Sequence, residues 1–212
     1  MTEKILLLIL LILYLSAFVT RNFLVKSHTG KTLRSRNLLP TLSIVCSSLC
    51  FIVTILSTFS DHCYHMMGAI LFLKNPFISY IGLFIFGICI IIGWFVSAQL
   101  KDSWRVGVLE NQQTSLIKDG IYAYIRNPYF LSYYIMFFSL FLVRPSIILL
   151  LLFITTGMVF HRMVIKEETH LRSMHGEEYK TYMSKTGRYI YATIGKKQIA
   201  LPKRWRRTWR VG

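Results

Sequence analysis

The spacing of charges constrains this chain most. Uncharged, apolar stretches run from Ile5 to Thr20, Leu38 to Ser60 and Asn75 to Leu100, and a fourth from Asn127 to Phe160 is interrupted only by Arg144. A hydrocarbon core about 30 Å thick takes roughly 20 apolar residues of helix. The second and third stretches are long enough; the first is short and needs Lys4 and Arg21 to snorkel. The fourth is too long for one helix and divides at Arg144-Pro145, because proline cannot continue a helix ladder. It reads as a helical hairpin whose arms span barely, or tilt and are partly shielded by protein. The fold expected is an all-α integral membrane protein with about five transmembrane helices and a C-terminal helical cap.

Charged residues make up only 16% of the chain, against roughly 25% in soluble domains, yet the net charge is +16. Both facts hold if charge and apolarity are segregated. Of the 25 Lys and Arg, 22 lie in residues 21–37, 101–127 and from Arg162 onward, leaving Lys4, Lys74 and Arg144 apart. Basic residues beside membrane segments stay cytoplasmic, so the N-terminus is expected outside and the C-terminus in the cytoplasm. Only Lys4 precedes the first apolar run, which favours a retained helix over a cleaved signal. No internal repeat is visible, and the chain reads as one membrane domain.

Cys46, Cys50, Cys63 and Cys89 show no CxxC pair; Cys46 and Cys50, four apart, are expected to share a helix face as packing residues. His62-Cys63-Tyr64-His65 lacks distant partners at zinc spacing, so no metal site is expected. The tail from Lys203 to Arg210 alternates cations with Trp205 and Trp209. Beside a membrane domain its expected partner is the anionic leaflet and not nucleic acid.

The apolar stretches hold almost no ionisable groups, which argues against an ion or proton pathway. Candidate chemistry lies instead in residues 100–132 and 160–190. In the first, Trp104-Arg105 precedes a run from Leu116 to Pro128. Gly120 can take positive φ, giving a turn whose amides approach a ligand. Pro128 fits the first turn of a helix, and Arg126 stands ahead of that helix N-terminus, where an anion is favoured. The plainer alternative is an interfacial anchor with Tyr122 and Tyr124 in an aromatic belt. In the second, Glu167 and Glu168 point about 100° apart on a helix, so only one turns inward. Glu168 and Arg172 have the spacing of a solvated i,i+4 pair, and the sequence leaves open which glutamate faces a pocket. Tyr179 and Tyr182 share a face after a break at Gly176.

The pattern LxxxGxYxxxRxP from Leu116 to Pro128, a hairpin, and RxxxxEExxLxxxxGxxYxxY from Arg162 to Tyr182 resemble the isoprenylcysteine carboxyl methyltransferase and phospholipid N-methyltransferase group of membrane enzymes. The match runs from about Gly93 to Ile190. On this resemblance, residues 1–92 are N-terminal helices and a basic loop, 93–190 the cofactor-binding region, and 191–212 a basic tail. It implies an S-adenosylmethionine-dependent methyltransferase without a Rossmann domain, which suits the absence of a GxGxxG motif. The methyl acceptor would be a lipid amine or the carboxylate of an isoprenylcysteine-like molecule.

The resemblance further implies that the Leu116–Tyr122 backbone, with Ile117, Lys118 and Gly120, holds the methionine end of the cofactor. Arg126, Asn127, Pro128 and Phe130 would line the pocket, Glu167, Glu168 and His170 would meet polar groups, and Tyr179 and Tyr182 would enclose the adenosine. Arg126, Glu167 and Glu168 would carry the catalytic roles, and Trp104 and Arg105 would meet the substrate. The family commonly reads Arg-His-Pro-x-Tyr-x-Gly where this chain has Arg126-Asn127-Pro128-Tyr129-Phe130-Leu131-Ser132. Asn127 donates a hydrogen bond but does not titrate near neutrality, Phe130 loses a hydroxyl, and Tyr129, one position early, is expected to face elsewhere. A lipid substrate is expected to enter between the hairpin and the third apolar helix. Rival readings are an NADPH-dependent membrane oxidoreductase similar to sterol reductases and a non-catalytic membrane scaffold.

Overall fold

Apolar runs become helices throughout the computed structural model, which describes residues 2–30, 38–100 and 115–190. In chain order these are α1 (Thr2–Thr29), α2 (Leu38–Phe59), α3 (Asp61–Met66), α4 (Pro76–Gln99), α5 (Pro128–Val143) and α6 (Ile147–Lys185), with 3₁₀ turns at Leu71–Leu73 and Gly120–Ala123. Among the described residues, β pairing is confined to the isolated bridges Ala69–Ser146 and Ile125–Gly187. Helices α1, α2, α4 and α6 are long and apolar enough to cross a membrane. With 16 residues, α5 reaches only about 24 Å and is the short arm of the hairpin. The chain is an all-α membrane protein, as its charge spacing requires.

The first helix departs from expectation. It continues through Arg21 to Thr29, because the Arg21 guanidinium donates to the Ser97 carbonyl of α4 at 2.8 Å. A cation on a helix C-terminus complements the helix dipole. The charge therefore does not end the helix.

Helices α4 and α5 pack closest. A Cβ at Gly82 would stand 2.8 Å from the Ser139 carbonyl oxygen, and Ser79 Oγ donates to the Val143 carbonyl at 3.0 Å. Helix α1 lies on α4 and α2 lies on α6, with Cys46 and Cys50 both buried as expected. Between α1 and α2 contact is local: Tyr14 and Phe51 meet with ring centroids 5.2 Å apart, and the Lys4 ammonium lies 5.4 Å from the Phe59 ring. Leu7, Phe86, Met136 and Leu140 fill the core, while residues such as Val19, Phe84 and Leu151 face outward, as lipid-facing helices require.

One end of the bundle is closed around the hairpin turn. Arg144, only 9% exposed, donates to the Thr58 carbonyl at 3.0 Å. Both Arg144 and Lys74 lie 5.1 Å from the Tyr64 ring, whose hydroxyl donates to the Pro145 carbonyl at 3.0 Å. The three basic residues set apart in the sequence, Lys4, Lys74 and Arg144, thus share this end. At the other end α6, 39 residues long and so about twice the membrane thickness, runs on past Lys166. It breaks at Gly176, where φ is 51° and ψ −123°, and its last turns form a cap.

Candidate active site

The turn at Gly120 adopts φ 62°, the left-handed region that glycine favours. Its surroundings are fixed by α4: the Ile121 amide donates to Gln99 Oε1 at 3.2 Å, and a Cβ at Gly120 would stand 2.6 Å from that same oxygen. The expectation that this turn offers its amides to a ligand is therefore corrected at Ile121, whose N–H is taken by Gln99. Lys118 pairs with Glu178 of the cap, so it fastens the loop to the cap instead of pointing inward. The segment before α5 then runs beside the one after the cap: the Arg126 amide donates to the Gly187 carbonyl at 2.8 Å and the Asn127 amide to the Arg188 carbonyl at 3.1 Å. Pro128 opens α5 as its first residue.

Glu168 is the centre of a buried ionic knot. One carboxylate oxygen accepts from Arg126 Nε at 3.1 Å and Asn127 Nδ2 at 3.0 Å; the other accepts from Arg188 Nε at 3.1 Å and Nη2 at 2.8 Å. Arg126 also donates to the carbonyls of Met183, at 3.1 Å, and Thr186. Burial alone would raise the Glu168 carboxyl, but the hydrogen bonds and charges of Arg188 and Arg126 outweigh it and hold the group below its usual 4.5. The solvated Glu168–Arg172 pair is thus corrected: Glu168 is 4% exposed and turned onto Arg126 and Arg188, while Arg172 meets Met183 Sδ at 3.5 Å.

Beside the knot lies a cavity of about 270 Å³, close to the lower end of small-molecule sites, roughly 300–1,000 Å³. At its polar end are Leu116, Ile117, Tyr122, Arg126, Asn127 and Glu167, with Tyr179 and Tyr182 from the cap and Phe130 from α5. Glu167, and not Glu168, reaches its wall. Lys118, Gly120, Pro128, Glu168 and His170 lie outside that wall, and Trp104 and Arg105 fall outside the described residues. Burial raises the hydroxyls of Tyr122, Tyr179 and Tyr182 above their usual range, so they remain protonated donors. Tyr182 donates to the Tyr122 carbonyl at 2.6 Å. The Tyr122 hydroxyl itself is buried with no hydrogen-bond partner among the described residues.

The cavity does not end there. It continues inward along Tyr14, Leu15 and Phe18 of α1 and Ser43, Ile44, Ser47, Ser48 and Phe51 of α2. Leu15, 53% exposed, and the exposed Ser48 are cavity wall and outer surface at once, so the cavity reaches the lipid-facing flank between α1 and α2. The entry expected between the hairpin and α4 lies on a different flank from this one. Tyr129, expected to face elsewhere, also lines the cavity. Sequence reasoning missed Arg188 and the entire contribution of α1 and α2. Arg188 could have been suspected as a cation near paired glutamates, but no local signal links Tyr14 or Ser43 to a site more than 70 residues away.

Four helices long and apolar enough to cross a membrane thus frame a cavity with a polar end and an apolar arm. The family model for phospholipid methyltransferase matches residues 63–178, more than half of the chain, and the chain belongs to that family. It is accordingly a multi-pass membrane methyltransferase of a family that acts on lipids. A comparison with curated proteins finds no match.

Proposed function

We propose that the protein transfers the methyl group of S-adenosylmethionine to a lipid acceptor that enters between α1 and α2. The observation carrying this reading is the continuity of one cavity from Glu167 and Tyr122 at the polar end to Leu15 and Ser48 at the lipid flank. The polar end suits the cofactor: an orphaned buried hydroxyl on Tyr122, an accessible carboxylate on Glu167, and two tyrosine rings on the cap. Tyr122 would donate to an acceptor oxygen, Glu167 would face a cationic group, and Tyr179 and Tyr182 would flank the planar base. Bound there, S-adenosylmethionine supplies a sulfonium methyl for in-line displacement.

The protein's part is then to position the acceptor and exclude water. A lipid amine must lose a proton before it can attack. Of the three carboxylate and imidazole candidates, Glu168 is held ionised by two guanidinium groups and His170 lies off the cavity wall, which leaves Glu167 as the group to take that proton. Arg126, turned onto Glu168, acts as a positioning residue that ties the α5 start to the cap. The side bearing this polar end is the cytoplasmic one by the distribution of basic residues.

Ligand-induced stabilisation tests the reading. S-adenosylhomocysteine is expected to raise the melting temperature of the purified protein while NADPH leaves it unchanged; the reverse result would favour the reductase alternative. Membranes given methyl-labelled cofactor are expected to yield labelled lipid, and an unlabelled lipid extract would favour the scaffold.

A further inference from the structure

Midway along the cavity is a set of hydroxyls that the cofactor contacts leave unused. Tyr129 and Tyr133, one turn apart on α5, bring their hydroxyls to 2.7 Å, and Tyr14 of α1 lies beside them. All three side chains line the cavity. Ring packing does not account for the hydroxyls: Tyr133 stacks on Phe160 at 5.2 Å and Tyr14 meets Phe51 at 5.2 Å, contacts that phenylalanine would keep. A hydroxyl in apolar surroundings is costly, so three in a row mark a polar station set into an apolar wall.

The row runs inward from the polar end. Tyr129 is in the first turn of α5, Tyr133 lies about 6 Å deeper along the axis, and Tyr14 precedes Arg21 by seven residues, about 10 Å along α1. No charged residue occurs in Ile5–Thr20, Leu38–Ser60 or Asn127–Val143, so a charged group facing the row would lack a counter-charge at that depth. Across the cavity, Ser43 and Ser47 spend their protons on the carbonyls of Pro40 at 2.8 Å and Ser43 at 2.6 Å within their own helix. One proton of the Tyr129–Tyr133 pair is spent between the two hydroxyls, and the row's remaining protons are placed to be donated to an uncharged oxygen of whatever lies between it and α2.

Resting on the reading that the acceptor is a lipid, we infer that Tyr14, Tyr129 and Tyr133 dock the ester linkages of a diacyl glycerolipid, with its headgroup toward Glu167 and its chains in the gap between α1 and α2. An ester carbonyl carries no charge, accepts a hydroxyl proton, and occupies the same place in the lipid, between headgroup and chains, that the row occupies in the cavity. Docked there, the linkage sets the depth at which the headgroup presents its acceptor atom. These are positioning residues for the acceptor.

The test compares dioleoyl phosphatidylethanolamine with its dialkyl ether counterpart, titrated into the full-length protein in a neutral detergent and read by thermal stabilisation. The wild type is expected to bind the diester roughly two- to tenfold tighter, the worth of one net hydrogen bond. Tyr133→Phe and, independently, Tyr14→Phe are expected to bring the ratio towards one while S-adenosylhomocysteine affinity stays unchanged. A wild-type ratio of one, or a ratio retained in whichever variants keep the wild-type melting temperature without lipid, overturns the docking site. Cofactor-product binding without ester preference sinks this inference alone, and ester preference without cofactor-product binding supports it while sinking the methyltransferase reading.

Discussion

Two adjacent glutamates divide two tasks because a helix turns about 100° between them. Glu168 faces the α5 start and Arg188; Glu167 faces the cavity. Replacing Glu168 by Gln leaves the Arg126 guanidinium, with only 9% of its side chain exposed, without its counter-charge. Breaking such a buried pair costs about 3–5 kcal/mol, so Glu168→Gln is expected to lower the melting temperature sharply and abolish cofactor-product binding with it. Glu167→Gln is expected to keep the fold and lose methyl transfer by about 10²–10⁴-fold, the scale of general base catalysis; equal effects of the two variants on stability would contradict the division. The knot also sets an acid limit. A carboxyl whose pKa is lowered on folding stabilises fully above its unfolded value, about 4.5, and loses that contribution as pH falls through the lower folded value. Cap closure, followed by proteolysis after Gly176, is therefore expected to be unaltered at pH 5 and above and to fail progressively below about pH 4. Nothing in the sequence singles out Glu168 for this role, because the deciding partners are 42 and 20 residues away and meet it only after the cap folds over.

At the level of elements, the cap depends on one backbone turn. Gly176 has φ 51°, and nothing lies within 4 Å of where its Cβ would be, so Gly176→Ala tests backbone conformation without a clash. Holding a non-glycine residue there costs of order 1–3 kcal/mol. Because the cap carries Tyr179, Tyr182 and the carbonyls that receive Arg126, the variant is expected to weaken S-adenosylhomocysteine binding about tenfold while leaving the hairpin and the other membrane helices in place. Truncation after Gly176 is expected to abolish that binding with membrane insertion intact, and affinity retained in the truncated protein would contradict the cap's role. The elements themselves were legible: charge spacing marked the apolar helices, Arg144-Pro145 the hairpin turn, and Gly176 the break. What remained hidden was helix partnership. Local hydrophobicity says that Leu38–Phe59 crosses the membrane but carries no information on whether it lies against α1 or α6, and that choice decides where the lipid-facing opening falls. The end of α1 is hidden from the sequence for the same reason, since Arg21 reaches a carbonyl 76 residues away.

For the whole molecule, the separation of a buried ionic end from an end closed around Tyr64 and Arg144 makes orientation the property on which the proposed function turns, because under that proposal cofactor and lipid reach one cavity from different phases. The chain carries a natural reporter of that orientation. Cys46, Cys50 and Cys89 are buried, while Cys63 on α3 is partly exposed at the end opposite the candidate site. Basic residues cluster at the site end, and the proposed orientation turns that end to the cytoplasm. A membrane-impermeant thiol reagent is therefore expected to label Cys63 in intact cells, and Cys63→Ser to remove the labelling. With Cys63 replaced, a cysteine introduced at the exposed cap position Ser184 is expected to react only after permeabilisation. The opposite pattern would turn the molecule over, putting Glu167 and the cap outside the cell. The α1–α2 opening would then face the outer leaflet, and the cofactor would have to be supplied from outside.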